Sequence, residues 1–202
     1  MFDVSNQPPP LEPYNLFACD TVLREAVRRE GAGWAQKDLT ALGASFGRPE
    51  TIKAGFDANR YPPVLLTLDR YGHRIDEVEF HPAWHELMAI ALKAGLHSSP
   101  WADPKPGAHV ARAAGTYMLE QVESGAYCPI SMTYGSVPSL RHAPAIAKEW
   151  LPRICAALRA GGREEIGAHR HGHDREPGRH RPAHQYDARG AGRRRQLPPL
   201  RA

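Results

Sequence analysis

The chain has 202 residues, a formal net charge of +4, 42% hydrophobic residues, 19 prolines and 18 glycines, which allows one domain or two small ones around a buried core. No stretch approaches the ~20 apolar residues that cross a bilayer, and the opening MFDVSNQPPPLEPYN has neither the basic nor the apolar region of a secretory signal. Cys19, Cys128 and Cys155 lack paired spacing and read as reduced thiols, so the chain is expected to be soluble and cytoplasmic with no membrane partner.

From the N-terminus, Asp20 is placed to cap TVLREAVRREG, with Val22, Leu23, Ala26 and Val27 on one stripe and Gly31 as the stop. Trp34 to Phe46 repeats the helical spacing through Leu39 and Leu42 and closes at Gly47. Pro49 opens PETIKAGFDANRY at a first-turn position. The period then changes: VLLTLDRYGHRIDEVEF alternates apolar and charged residues on either side of Tyr71-Gly72, which predicts a short hairpin or extended excursion. Helix resumes at Pro82 in HPAWHELMAIALKAG, with Trp84, Leu87, Met88, Ala91 and Leu92 as its buried face. Pro100 to Gly107 reads as a loop. Ala108 to Glu123 reads as a longer helix buried through Val110, Ala113, Ala114, Tyr117, Met118 and Val122. Ile130–Leu140 and Ala143–Ile154 are expected as two more helices, the last buried through Ile146, Trp150 and Leu151. The fold class expected is all-α with one short hairpin over residues 1–154.

Residues 155–202 are another kind of sequence. Residues 1–155 hold 15 Lys+Arg against 17 Asp+Glu, and residues 156–202 hold 11 Arg against 5 Asp+Glu, so all the excess positive charge lies in the tail. The high isoelectric point therefore says nothing about nucleic-acid binding by the body. From Gly161 the tail is mostly Arg, Gly, His, Pro and Ala, a composition that cannot bury enough surface to offset chain entropy, and disorder is expected.

Two tail motifs carry possible chemistry. His169, His171 and His173, with His180 and His184 behind them, could present several imidazoles to a metal ion, and Arg193-Arg194-Arg195 could meet phosphates. Neither lies near a core, and the bland reading of both as unselected charge is the stronger. The body histidines His73, His81, His85, His97, His109 and His142 are scattered. His81 and His85 stand four apart, but HPAWHE places its Glu after the second histidine rather than between the two, unlike a zinc protease helix. Capping or core roles are expected for them. Ser131 and Cys128 have no recognisable base partner. No residue is assigned a catalytic, cofactor-binding or metal-ligating role.

The segments NQPPPLEPYNLF, REGAGWA, DRYGHRIDEVEFHPAWHELM, PGAHVARAAG and CPISMTYGSVPSLR occur in this order from Asn6 to Arg141. In them the chain resembles the amino-terminal region of AidB-type (adaptive-response) acyl-CoA dehydrogenases. The tail departs from that family. Reading the codons of His169 to Gly190 one base later permits Ile-Gly-Met-Gly-Met-Thr-Glu, then Gln-Gly and Asn-Thr-Thr-Arg-Ala, which resembles the family's flavin-binding segment. The tail is therefore expected to be frameshifted, with the change between about Ile154 and Leu158.

The resemblance implies an FAD-dependent oxidoreductase linked to the DNA-alkylation response, tetrameric when complete, with acyl-CoA and non-specific DNA as partners. A carboxylate of the complete enzyme takes the α-proton of the acyl chain while hydride passes to flavin. It further implies that this chain, holding only the first helical domain, is a truncated member without bound FAD or activity. The alternative is a non-catalytic helical interaction module whose basic tail binds nucleic acid without specificity.

Overall fold

The computed structural model describes residues 6–156. It is mostly helical, with eight helices and one two-stranded sheet among the described residues. The tail expectations, including its disorder and its histidine and arginine motifs, lie outside them.

Local rules set most helix boundaries. The α1 helix (Thr21–Arg29) starts where the Asp20 carboxylate accepts the Leu23 N–H at 2.8 Å, and it stops before Gly31, whose φ of +79° suits a residue without Cβ. A 3-10 turn at Gly33–Ala35 leads into α2 (Gln36–Phe46), so Trp34 precedes the α-helix instead of opening it. Pro49 begins α3 (Pro49–Arg60), where its missing N–H costs nothing.

The predicted hairpin is present as β1 (Val64–Leu68) and β2 (Arg74–Glu79), paired antiparallel. Its turn is held by Asp69, whose carboxylate accepts the N–H groups of Tyr71 and His73 at 2.8 and 2.9 Å, and Gly72 supplies a φ of +82°. The α4 helix (Pro82–Lys93) follows, capped by the His81 ring.

Within the expected loop at Pro100–Gly107 the structure instead forms a single helical turn, α5 (Ser99–Ala102), with Pro100 at a tolerant first-turn position. The α6 helix (Ala108–Val122) starts after Gly107, where φ is +75° and an added Cβ would meet the Gly31 carbonyl oxygen at 2.4 Å. The α7 helix (Tyr127–Arg141) begins three residues earlier than its apolar spacing suggested. The reason is Glu123, which is buried and whose two oxygens accept the Gly125 and Ala126 N–H groups at 2.6 and 2.5 Å. This carboxylate satisfies amide groups leading into the helix and favours its positive end. The last described element is α8 (Pro144–Ala156).

The helices pack on α6, which meets α1, α2, α3, α5 and α7. Partners on several sides explain why its buried set is wider than the one stripe read from sequence. Arg112, Gly115, Thr116 and Leu119 are buried with Ala114 and Met118, while Ala113 and Tyr117 are exposed. The main core joins Met118 and Leu119 to Phe17, Val27, Leu39, Phe46, Leu96 and Ile130. A smaller cluster of Ala54, Ala83, Leu87 and Ala126 seals α3 against α4. Besides Ala113 and Tyr117, three more residues expected on buried faces are exposed: Val22, 78% accessible, and Ile146 and Trp150 on α8.

Candidate functional site

A concavity lies between α2, the end of α4, α5 and the start of α6. It encloses about 400 Å³ over an apolar floor that includes Leu39, Leu42 and Leu96, with Lys93 and Asp38 on its walls. One end is closed by Trp34, whose indole N–H donates to the Pro106 carbonyl at 3.0 Å. The Lys105 ammonium sits 3.8 Å from the centre of that indole and 2.9 Å from the Asp103 carboxylate.

Arg112 joins this wall to a polar cluster behind it. It is only 8% exposed and has no carboxylate partner among its described contacts. Its Nε donates to the Leu96 carbonyl at 2.8 Å, and its guanidinium lies 3.7 Å from the centre of the Tyr134 ring. That π face offers negative charge to the buried cation where hydrogen bonds run out, since Nη2 has no acceptor. Tyr134 is held in turn from both ends. Its carbonyl accepts the Trp101 indole N–H at 3.0 Å, and its hydroxyl lies 2.6 Å from His109 Nδ1. Arg141 packs over the Trp101 ring. The chain α5–α6–α7 is thus tied by one aromatic and cationic network.

The histidines named from sequence occupy separate places. His81 caps α4 by accepting the Ala83 N–H at 3.3 Å, and its ring stacks on Tyr61. His85 packs edge-on to Phe80 and Trp84. His73 faces Asp69 in the hairpin turn, and His97 is buried beside the Ser98 hydroxyl at 3.0 Å. Burial holds the His97 imidazole below its ordinary value. No group of three His, Cys, Asp or Glu side chains that could hold a metal occurs among the described residues. Ser131 bonds the Tyr127 hydroxyl at 3.2 Å, and Cys128 is exposed. Cys19, Cys128 and Cys155 are free thiols, and burial raises the Cys155 thiol. No helix among the described residues is long and apolar enough to cross a membrane.

Arg112, Glu123, Tyr134 and Trp101 were not singled out from sequence. The one available signal was Arg112 itself, a charge set among alanines in AHVARAAG.

Residues 6–160 match the model of the adaptive response protein AidB N-terminal domain. The chain belongs to this AidB family. It is 45% identical over 149 residues to the AidB protein of Escherichia coli (strain K12), named an acyl-CoA dehydrogenase, covering 73% of this chain and 28% of that protein. The chain therefore spans less than a third of that relative's length. Two solved structures share the fold at 22% identity. One is Caenorhabditis elegans ACDH-11 in complex with C11-CoA, with a TM-score of 0.62 over 79% of this chain and 28% of that one. The other is the apo form of Bd2924, with a TM-score of 0.61 over 72% and 31%. The AidB-type chain described here is thus acyl-CoA dehydrogenase-like.

The α2–α6 cavity, at about 400 Å³, is at the low end of the ~300–1,000 Å³ of sites for drug-sized molecules.

Proposed function

We propose that residues 6–156 serve as the N-terminal helical domain of an FAD-dependent acyl-CoA dehydrogenase-like protein of the DNA-alkylation response type, and that residues 1–202 alone neither hold flavin nor turn over acyl-CoA. The family match over residues 6–160 carries this reading. The flavin and the proton-abstracting carboxylate belong, in this reading, to the remaining length of the complete protein, as do its acyl-CoA, its DNA and its tetrameric assembly. The cavity supports it, being lined mostly by packing residues, with Lys105 paired to Asp103.

Residues from about 155 onward belong to a shifted reading frame in the same proposal. The reversal of charge and the family-like one-base-shifted reading support it. Resequencing the gene through codons 150–205 tests it directly: a one-base change that restores the family segment is expected, and an unbroken frame in independent clones would refute it. Flavin is tested separately. The 202-residue chain incubated with FAD and desalted should carry no yellow absorbance, and stoichiometric flavin would overturn the reading.

A second reading, a helical interaction module, draws support from the exposed hairpin. If the tail functions in it, DNA binding should be salt-sensitive and stronger for 1–202 than for 1–155. Equal binding by the two would remove the tail's role.

A further inference from the structure

The α2–α6 cavity is apolar along its floor, and short side chains on its walls, Ala35, Ala94, Ala108 and Ala111, leave the space open. Its charged lining residues are Lys93, Lys105 and Arg112 against Asp38 and Asp103. All but one are answered locally. Lys105 pairs with Asp103 at 2.9 Å. Asp38 stands in the first turn of α2 and Lys93 in the last turn of α4, where the positive and negative helix ends favour them, and both reach solvent. Arg112 is left over. It is buried, no carboxylate among its described contacts meets it, and it holds one carbonyl and one ring face.

That isolation is costly. A buried ionised donor without an acceptor has given up its water and gained nothing in return. In folded proteins such a group points to a partner, whether water, ion or ligand. The guanidinium also fixes a direction, because it is a rigid planar fork in which Nε and Nη2 share one edge. Nε donates to the Leu96 carbonyl at 2.8 Å, so Nη2, which has no acceptor, opens toward the same side. Leu96 is part of the cavity floor. Tyr134 covers the flat face of the guanidinium. Burial leaves the charge poorly screened, so it attracts an anion seated in the cavity more strongly than a surface arginine would.

The complement of this site is an apolar body carrying one negative charge. A volume of about 400 Å³ holds a molecule of about a dozen non-hydrogen atoms. A multiply charged anion would face Asp38 and Asp103 with only Arg112 to answer it among the described lining residues. A thioester brings no charge to the guanidinium at all.

We infer that the α2–α6 cavity binds a small apolar monocarboxylate, its hydrocarbon on Leu39, Leu42 and Leu96 and its carboxylate toward Arg112. The site is separate from flavin and acyl-CoA, which the proposed function assigns to the remaining length of the complete protein. An empty cavity would leave that reading standing.

Calorimetric titration of the full 202-residue chain tests it, with hydrocinnamate as the probe and hydrocinnamide as its uncharged counterpart. The acid is expected to bind with a dissociation constant of about 0.1–1 mM, the range open to about a dozen non-hydrogen atoms. The amide should bind at least about tenfold more weakly. Arg112→Met should weaken the acid to the level of the amide. Ala111→Phe, which sets a ring in the cavity, should remove binding of both. Circular dichroism should show unchanged helix in the two variants; if either unfolds, the contrast between acid and amide on the wild type decides alone. No heat from the acid at about 10 mM overturns the inference. So does an amide that binds as tightly, or acid binding that survives either folded variant at wild-type strength.

Discussion

Gly43 in α2 and Gly47 at its C-cap stand four apart, and the segment Tyr14–Phe17 lies in the channel they leave open. Tyr14 N–H donates to the Gly47 carbonyl at 3.2 Å and Leu16 N–H to the Gly43 carbonyl at 3.3 Å. A Cβ on Gly47 would stand 1.6 Å from the Tyr14 oxygen, and one on Gly43 2.6 Å from the Phe17 nitrogen. Both neighbours are backbone, so Gly47→Ala must move the segment. A limited shift costs about 1–3 kcal/mol as overpacking. Full detachment exposes Leu16 and Phe17, both fully buried, at about 1.5–3 kcal/mol each, and breaks two hydrogen bonds at about 0.5–1.5 kcal/mol each. Alanine recovers at most about 1 kcal/mol of helix propensity. A displacement large enough to open that 1.6 Å approach to an ordinary contact loses both hydrogen bonds, so the net loss is expected at about 3 kcal/mol or more. Followed by circular dichroism, that lowers the melting temperature by about 6–12 °C for a domain of this size. Gly135→Ala is the control. It lies inside α7 with nothing within 4 Å of the added methyl, and should stabilise by about 0.5–1 kcal/mol. A Gly47→Ala protein melting within about 2 °C of wild type would refute the reasoning, as would an equal fall for Gly135→Ala.

Three further outcomes follow from the buried polar groups. Glu123→Ala should cost about 1–3 kcal/mol by leaving the Gly125 and Ala126 N–H groups without their acceptor and speed amide exchange at both; unchanged exchange there would count against that role. Arg112→Lys keeps the charge but loses the planar contact with Tyr134 and the Nε bond to Leu96. It should be no more stable than Arg112→Met in urea, and a lysine variant near wild type would contradict that. His97 gives a pH dependence. Its pKa is lowered in the fold, first by burial, so the unfolded chain takes up the proton earlier. Its contribution is full above the ordinary value of 6.5 and declines as pH falls below it. His97→Phe should flatten the urea midpoint between about pH 7 and 5, and an unchanged slope would exclude His97 as the source. Asp57, lowered first by its hydrogen bond from Lys53, and Asp69, lowered first by the His73 backbone N–H, respond only below their ordinary 3.8 and leave that window clear.

The sequence alone determined every helix but the single turn of α5, together with the hairpin and the family. Asp20, Gly31, Pro49, Tyr71-Gly72 and His81 act on neighbours within about four residues, so their effects on caps and turns are written locally. Which faces those elements bury was decided by tertiary structure. Val22, Ile146 and Trp150 fit apolar stripes yet are exposed, because no described element covers them. Arg112 looks like a surface charge and is buried, because Leu96 and Tyr134, 16 and 22 positions away, supply a carbonyl and a ring face. The glycine channel on α2 is silent for the same reason: Gly43 and Gly47 matter only once residues 14–17 are laid across them. Local hydrogen bonding fixes an element from its own residues, whereas burial depends on partners that the chain brings together only on folding.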